Sequence, residues 1–407
     1  MRVSTSQIFD AGTRNLLDGQ SALYKTQNQL STGRRVLTPD DDPVAAAQAL
    51  LTTQARDVNA MYADNQKNAS SQLAFAESSL GSVVESLHFI REKVIAGNNA
   101  SYSDTERKFI AQALQSQFDS LFSVANSLDA SGHYIFSGYQ GETQPFQQQN
   151  VGGNISVNYV GDDGQRLLQV SGSRQIAVSD SGNDIFIRNS SGNGRFALGV
   201  AATNTGTGVV DAGSVLTPQN WTGHNYTLTF TSATTFDVTD TTTIPNTTVA
   251  TAVPYTSNTA ITSVPGIAFT IQGAPATGDS FTVQPSSDRS LFATLQSLIT
   301  TFNTPIANSP TSVAAAQNSI NANLANIDQA LNNVLTVQAS VGSRMAELDS
   351  LSSVSSDQDV QYAKDLSSLQ DVDYASAISQ FMSQLMQLQA AQKSFAQVSG
   401  LSLFNYL

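Results

Sequence analysis

The sequence predicts an α+β protein, an elongated antiparallel coiled-coil helical bundle built from both termini with a central antiparallel β insertion. First, none of the eleven prolines lies in residues 44–144 or after residue 310, whereas nineteen of the 26 glycines lie in residues 132–278. Proline blocks helix interiors and glycine weakens them. Second, apolar residues near both ends recur in steps of three, four or seven, as on one side of a helix. Third, the middle is rich in threonine and alternates with period two, which is typical of half-buried strands.

The N-terminal end predicts three helical segments, each with one apolar stripe. In the first, the stripe recurs every seven residues and ends before Gly33, which Pro39 and Pro43 follow. Its members are Phe9, Leu16, Leu23 and Leu30. The second stripe steps by four and three without a miss through Ala69, Leu73, Ala76, Leu80, Val83, Leu87, Ile90 and Val94. Residues 103–106 have the form of a capping box, which predicts a third helix. Its expected face is Ile110, Leu114, Leu121, Val124 and Leu128, interrupted by Gln117.

The C-terminal end repeats the pattern in two segments. The first stripe comprises Ile320, Leu324, Ile327, Leu331, Val334, Gln338, Val341, Met345 and Leu348. Its phase slips through residues 352–359, and a last stripe comprises Tyr374, Ile378, Phe381, Leu385, Leu388, Gln392 and Phe395. Each stripe covers one side only, so each helix needs a partner. The glutamines on these stripes are either errors of phase or residues that set register, as single polar seam residues do.

The middle of the chain predicts antiparallel strands. Residues 201–290 hold 23 threonines, and residues 226–230 and 267–271 alternate as half-buried strands do. Residues 159–165 are typical of a turn at a hairpin end. We expect two small lobes, divided near residues 189–213.

These patterns predict three domains. Residues 1–42 plus 362–407 would form a terminal coiled-coil domain, and residues 43–133 plus 289–361 a helical bundle. Residues 134–288 would form the solvent-facing β insertion.

Composition argues against several classes of function. Nineteen basic against 32 acidic residues give a net charge of −13, which disfavours a nucleic-acid partner. There is no cysteine, and the three histidines lie far apart in sequence. No apolar run suits a membrane span or the core of a signal peptide. We therefore expect no enzyme, no catalytic or metal-binding residues, no cofactor, and no nucleic-acid or membrane partner.

Two charged runs each allow two interpretations. Asp40, Asp41 and Asp42 could bind a cation, but acids before Pro43 more often mark the start of a helix. Residues 34 and 35, both arginine, could bind an anionic partner, or be a solvated pair after a helix end, which we favour.

Several segments resemble one known family. RVSTSQIFD at residues 2–10 and QLSTGRRVLTPDDDPVAA at 29–46 resemble the start of flagellin-family proteins. DYASAI at 373–378, AAQKSF at 390–395 and LSLFNYL at 401–407 are similar to the C-terminus of the same family. In addition, HYIFSGYQGETQPF at 133–146 is similar to the start of the β domain in members that join the flagellar hook to the filament.

The resemblance implies a structural protein of the bacterial flagellum, exported unfolded through the flagellar type III channel without a cleaved signal peptide. It implies an extracellular ring at the hook–filament junction; the alternative is a flagellin filament subunit. The implied partners are further copies of the chain, hook-associated protein 1, flagellin and an export chaperone. We predict that the end helices form the assembly interface through Phe9, Leu16, Leu23, Leu30, Tyr374, Ile378, Phe381, Leu385, Leu388 and Phe395.

Overall fold

A computed structural model describes residues 5–99, 101–151, 154–306 and 309–400, and it confirms the α+β class. Long helices at both ends of the chain flank antiparallel sheets. The helices are α1 (Thr5–Thr32), α2 (Pro43–Gly97), α3 (Asp104–Ala125), α4 (Leu291–Asn303), α5 (Pro310–Gln370) and α6 (Tyr374–Gly400). The chain divides into two compact units, with α2 and α5 contributing to both. The terminal unit holds the residues up to Asn65 and from Ser350 onward, and the central unit is Gln66–Asp349.

In the central unit, α2 buries the predicted stripe in full. All eight residues from Ala69 to Val94 at the four-three steps are at most 2% exposed. The antiparallel partner is α5, as the ion pair between Arg91 and Asp328 at 2.7 Å and the hydrogen bond between the Asn98 and Asn321 side chains show. On α5 every seventh residue is buried, namely Ile320, Ile327, Val334, Val341 and Leu348. The other predicted residues of this stripe are half-buried, namely Leu324, Leu331, Gln338 and Met345. The stripe steps thus predicted the core side of α2 in full and that of α5 at every second step.

The predicted face of α3 is confirmed at Leu114 and Leu121 and is misplaced elsewhere by about one residue. The buried residues are Arg107, Ala111, Leu114, Phe118, Leu121 and Ala125. Phe118, not Gln117, fills the position between Leu114 and Leu121, so the glutamine was an error of phase. Leu128 lies beyond the last turn and is 49% exposed. The capping box is confirmed, because the Ser103 hydroxyl accepts the Glu106 N–H and the Glu106 carboxylate accepts the Ser103 N–H.

Phe292 on α4 is the centre of an aromatic cluster in the central unit. Its ring centroid lies 5.7 Å from that of Phe118 and 6.2 Å from that of Phe122, both on α3. It also lies 5.6 Å from Phe146 and 5.9 Å from Phe186, which stands in a short π-helical turn, Asn183–Ile187. Phe292 itself is 1% exposed. Most of these rings meet edge to face or tilted, which favours aromatic pairs. The cluster therefore holds the helices and the first strands together.

The strands form several antiparallel sheets. They are β1 (Phe146–Val151), β2 (Asn154–Tyr159), β3 (Leu167–Ser171), β4 (Arg174–Ala177), β5 (Asn189–Ser190), β6 (Phe196–Val200), β7 (Val209–Val210), β8 (Ser214–Val215), β9 (Tyr226–Ser232), β10 (Thr235–Asp240), β11 (Thr247–Pro254), β12 (Ala260–Ile261), β13 (Ile267–Gln272), β14 (Ser280–Pro285) and β15 (Asp288–Arg289). A five-stranded sheet has the order β11-β10-β9-β14-β6, and a smaller one has β12-β13-β7 with β8 also on β13. Three separate pairs, β1–β2, β3–β4 and β5–β15, complete the set.

The two larger sheets share one apolar core, and the two predicted strands, 226–230 and 267–271, are confirmed as parts of β9 and β13. Alternate side chains of both strands are buried, as their period indicated.

The predicted hairpin turn at 159–165 is wrong. This segment connects β2, which pairs with β1, to β3, which pairs with β4, so it closes neither hairpin. Its turn character comes from Asp162, whose carboxylate accepts the N–H groups of Tyr139 and Gly164.

Candidate functional site: the terminal helices and their corner

Helices α1 and α6 pack antiparallel in the terminal unit. The rings of Phe9 and Phe395 meet edge to face with centroids 5.7 Å apart. Further along, the Thr26 hydroxyl donates to the Gln384 side-chain oxygen at 2.9 Å. Gly12 permits this approach, since a Cβ there would lie 2.7 Å from the Phe395 ring. Each end helix thus has the other as its partner within one chain.

The pairing leaves the predicted interface residues only partly covered. Tyr374 and Ile378 are 53% and 48% exposed. The other eight are half-buried, namely Phe9, Leu16, Leu23, Leu30, Phe381, Leu385, Leu388 and Phe395. Gln392 is exposed. Among the residues of α1 and α6 whose burial the structure describes, Thr26 and Ala377 alone are buried, so further surfaces would have to cover the large apolar side chains.

Large apolar side chains are also exposed elsewhere in the terminal unit. Leu17 and Tyr24 on α1, seven residues apart, are 60% and 66% exposed. Met382 and Met386 on α6 are 55% and 68% exposed. Leu17 and Tyr24 directly follow the stripe residues Leu16 and Leu23, but the pairing of α1 with α6 leaves them exposed. Contiguous exposed apolar surface of this kind marks interaction sites.

The two chain reversals of the terminal unit meet in one corner, residues 33–42 and 370–373. The Arg35 N–H donates to the Gln370 carbonyl at 2.6 Å, and the Val372 N–H donates to the Gly33 carbonyl at 2.9 Å. Gly33 has φ +72°, a conformation that glycine adopts without strain. Each reversal therefore satisfies backbone groups of the other.

Arg35 is exposed, but its side chain binds the end of α5. Its guanidinium donates to the Leu369 carbonyl at 2.9 Å and pairs with Asp42 at 3.1 Å. A cation is favourable at this position, because the carbonyl end of a helix carries partial negative charge. This role of Arg35 was not visible in the sequence, since its partner is 334 residues away. Arg34 is exposed.

The acidic run starts a helix, as its sequence context favoured. The Asp42 carboxylate accepts the Ala45 N–H at 3.0 Å and so caps α2. Asp41 accepts the N–H groups of Leu37 and Thr38 and forms an ion pair with Lys25 at 2.5 Å. The pairing with Lys25 and the N–H groups of Thr38 and Leu37 lower the pKa of Asp41 to about 2.

The Asp41 carboxylate should make the stability of the terminal unit depend on acid pH. Its pKa in the folded chain lies below the value of about 3.9 for a free side chain, so its contribution is complete above pH 4. This contribution is lost as the pH falls toward 2. We expect Asp41→Asn to melt below the unchanged protein from pH 7 to pH 4, with the difference disappearing near pH 2. Circular dichroism melting curves across this range test it.

Asp40→Asn is the matched control, because Asp40 is the exposed neighbour in the same run. It should not show the pH-dependent difference. A melting difference for Asp41→Asn that remained unchanged at pH 2 would contradict the assigned role of the carboxylate.

Within residues 5–99, 101–151, 154–306 and 309–400, no group of three or more histidine, cysteine, aspartate or glutamate side chains is arranged to hold a metal ion. In the same ranges, no helix is long and apolar enough to cross a membrane.

Comparison with known proteins identifies the family of the chain. The bacterial flagellin N-terminal helical region matches residues 3–141, and the bacterial flagellin C-terminal helical region matches residues 324–407. These two regions together cover more than half of the sequence. The chain belongs to the flagellin family.

Within the flagellin family, the chain is similar over its full length to hook-associated members. It is 28% identical to flagellar hook-associated protein 3 of Escherichia coli (strain K12) over 404 residues, which are 99% of each chain. It is 34% identical in sequence to the flagellar junction protein FlgL from Legionella pneumophila. The crystal structure of that protein matches this one with a TM-score of 0.72, over 80% of this chain and 100% of that one. Phase 1 flagellin of Salmonella naestved is 25% identical over 227 residues, 52% of this chain and 43% of that protein.

Proposed function

We propose that this chain is a structural component of the bacterial flagellum that forms a junction ring between the hook and the flagellin filament. The observation that carries the proposal is the extent of similarity. Flagellar hook-associated protein 3 aligns with 99% of the chain, β insertion included, whereas the flagellin aligns with 52%. A filament subunit, the alternative, would be expected to share its central region with flagellin at least as well.

Self-assembly through the terminal helices is supported by the surface of the terminal unit. Among the described residues, this unit holds about half of the large exposed apolar side chains in less than a third of the chain. The ten predicted interface residues are all half-buried or exposed. In this proposal the helices of residues 1–42 and 362–407 form the inner layer of the ring, because further copies would cover these side chains.

With the end helices in the inner layer, the proposal also assigns the other domains, the partners and the location of the chain. Residues 43–133 with 289–361 would form the outer helical layer, and residues 134–288 the solvent-facing insertion. The partners would be further copies, hook-associated protein 1 on one side and flagellin on the other, with an export chaperone before secretion. The chain would act outside the cell, exported without a cleaved signal peptide, as a structural protein and not as an enzyme.

Deletion of the gene, followed by electron microscopy of the cells, tests the function. We expect bare hooks and flagellin monomers in the medium, with filaments restored by a plasmid copy. Normal filaments on the deleted strain would contradict the proposal. Immunogold labelling separates the alternative, because a junction protein is labelled at the hook end only and a filament subunit along the whole filament.

A further inference from the structure

The first part of α2 has an inverted distribution of apolar residues. Its buried side carries small or polar residues, since Ala45, Ala49 and Asn59 are at most 7% exposed. The Asn59 side chain donates to the Ser355 carbonyl of α5 at 2.8 Å. A surface helix normally buries its large apolar residues and exposes the polar ones. Here the packed side uses the small residues, so the large ones need a different partner.

The large residues of this segment form what we call the α2 outer stripe. Its members are Val44, Leu50, Leu51, Val58 and Met61, which are 68%, 70%, 66%, 41% and 50% exposed. Val44, Leu51 and Val58 are seven residues apart and therefore follow one line along the helix. The Arg56 side chain forms an ion pair with Asp359 of α5 at 2.7 Å and so does not lie on this stripe. Asp57 borders the stripe and is exposed.

A second exposed line lies on α6 of the same unit. Ile378, Met382 and Met386, four residues apart, form the α6 stripe and are 48–68% exposed. Methionine adapts its shape to a partner surface, which suits it to such contacts. Lys393, seven residues beyond Met386, is the single charged residue between Tyr374 and Val398. Its charge is opposite to that of Asp57 on the α2 outer stripe.

We infer that the α2 outer stripe of one copy binds the α6 stripe of the next copy. This inference rests on the proposed function and names the surfaces through which the copies meet. The described part of the chain leaves both stripes uncovered, and the bordering charges are complementary. In a head-to-tail contact between these two different surfaces, one copy of each pair keeps a free α6 stripe and the other keeps a free α2 outer stripe for further neighbours. Contacts of this kind close into rings or continue into helices, whereas a self-complementary patch stops at a dimer.

The natural absence of cysteine makes cross-linking a direct test. Cells lacking the gene express the full chain with Leu51→Cys and Met382→Cys together, and purified flagella are treated with a short bismaleimide. We expect a ladder of dimers, trimers and larger species on a denaturing gel. Each single variant should remain essentially monomeric. So should Leu51→Cys combined with Thr248→Cys, since Thr248 is exposed on β11 and lies outside both stripes.

Three results would overturn the inference. One is a monomer band alone from the double variant in flagella that carry filaments; the proposed junction function would then still stand. The second is a dimer from Leu51→Cys alone, which would mean that α2 meets α2. The third is a ladder from Leu51→Cys with Thr248→Cys as strong as that from the first pair, which would mean that α2 lies no nearer to α6 than to β11 of its neighbours. If the first pair lowers incorporation, Val58→Cys with Met386→Cys repeats the test one to two turns away. Failure of the function itself is seen separately, as filaments on cells that lack the gene.

Discussion

Cells whose only copy of this chain carries Leu385→Asp should grow hooks without filaments and release flagellin into the medium. Leu385 is half-buried on α6, between Gln384 and Leu388, which contact Thr26 and Gly19 of α1. An aspartate there loses the apolar contact and brings a charge onto the side of α6 that packs against α1. We expect a cost of about 2 kcal/mol or more per chain, repeated in every copy of a ring. Swimming in soft agar and microscopy of the flagella measure the loss.

Leu385→Met is the matched control, because it keeps the volume and removes no apolar contact. It should swim like the unchanged strain. If Leu385→Asp were secreted in normal amounts and supported full-length filaments, the α1–α6 contact would not be part of the assembly.

Phe292→Ala should produce the largest loss of stability in the central unit. Phe292 is 1% exposed and contacts Phe118, Phe122, Phe146 and Phe186, so its removal leaves a cavity where α3, α4 and the first strands meet. Truncation of a buried phenylalanine to alanine typically costs about 3–5 kcal/mol. Urea unfolding of the purified chain, followed by circular dichroism, should show a decrease of this size in the free energy of unfolding.

Two further variants separate the cavity from a general effect of mutation. Phe292→Leu fills most of the space and should cost clearly less. Phe109→Ala removes a ring of the same kind that is 63% exposed on α3, and it should change the stability little. Equal losses for Phe109→Ala and Phe292→Ala would show that the aromatic cluster is not the centre of the fold.

The spacing of apolar residues predicted the helical core well, because the residues on one side of a helix recur every three or four positions. Each residue of the α2 stripe from Ala69 to Val94 is buried, and the stripe of α5 is buried at every seventh position. The same method placed the face of α3 about one residue away, since Gln117 and Phe118 are neighbours and spacing alone does not show which of them faces inward. Capping boxes and helix starts were also readable, because their partners are only three residues apart.

Contacts between distant parts of the chain could not be predicted in this way. Strand β6 pairs with β14 across about eighty residues, and nothing in the local alternation of either strand names the other. Helix α4 is short, and its part in the aromatic cluster depends on rings contributed by three other segments. In the candidate site, the sequence predicted the interface residues of the two end helices but not the exposed apolar side of α2. The small residues on the packed side of α2 do not form a pattern that sequence spacing can recognise.

The corner has a consequence for how the terminal helices can move. The reversal between α1 and α2 and the reversal between α5 and α6 share the hydrogen bonds of Arg35 with Gln370 and of Val372 with Gly33. Opening one reversal breaks both hydrogen bonds and so exposes backbone groups of the other. We therefore expect the two end helices to move together about this corner rather than independently. We expect a force on α6 to be transmitted to α1 through these hydrogen bonds, so that both ends of the chain resist it together.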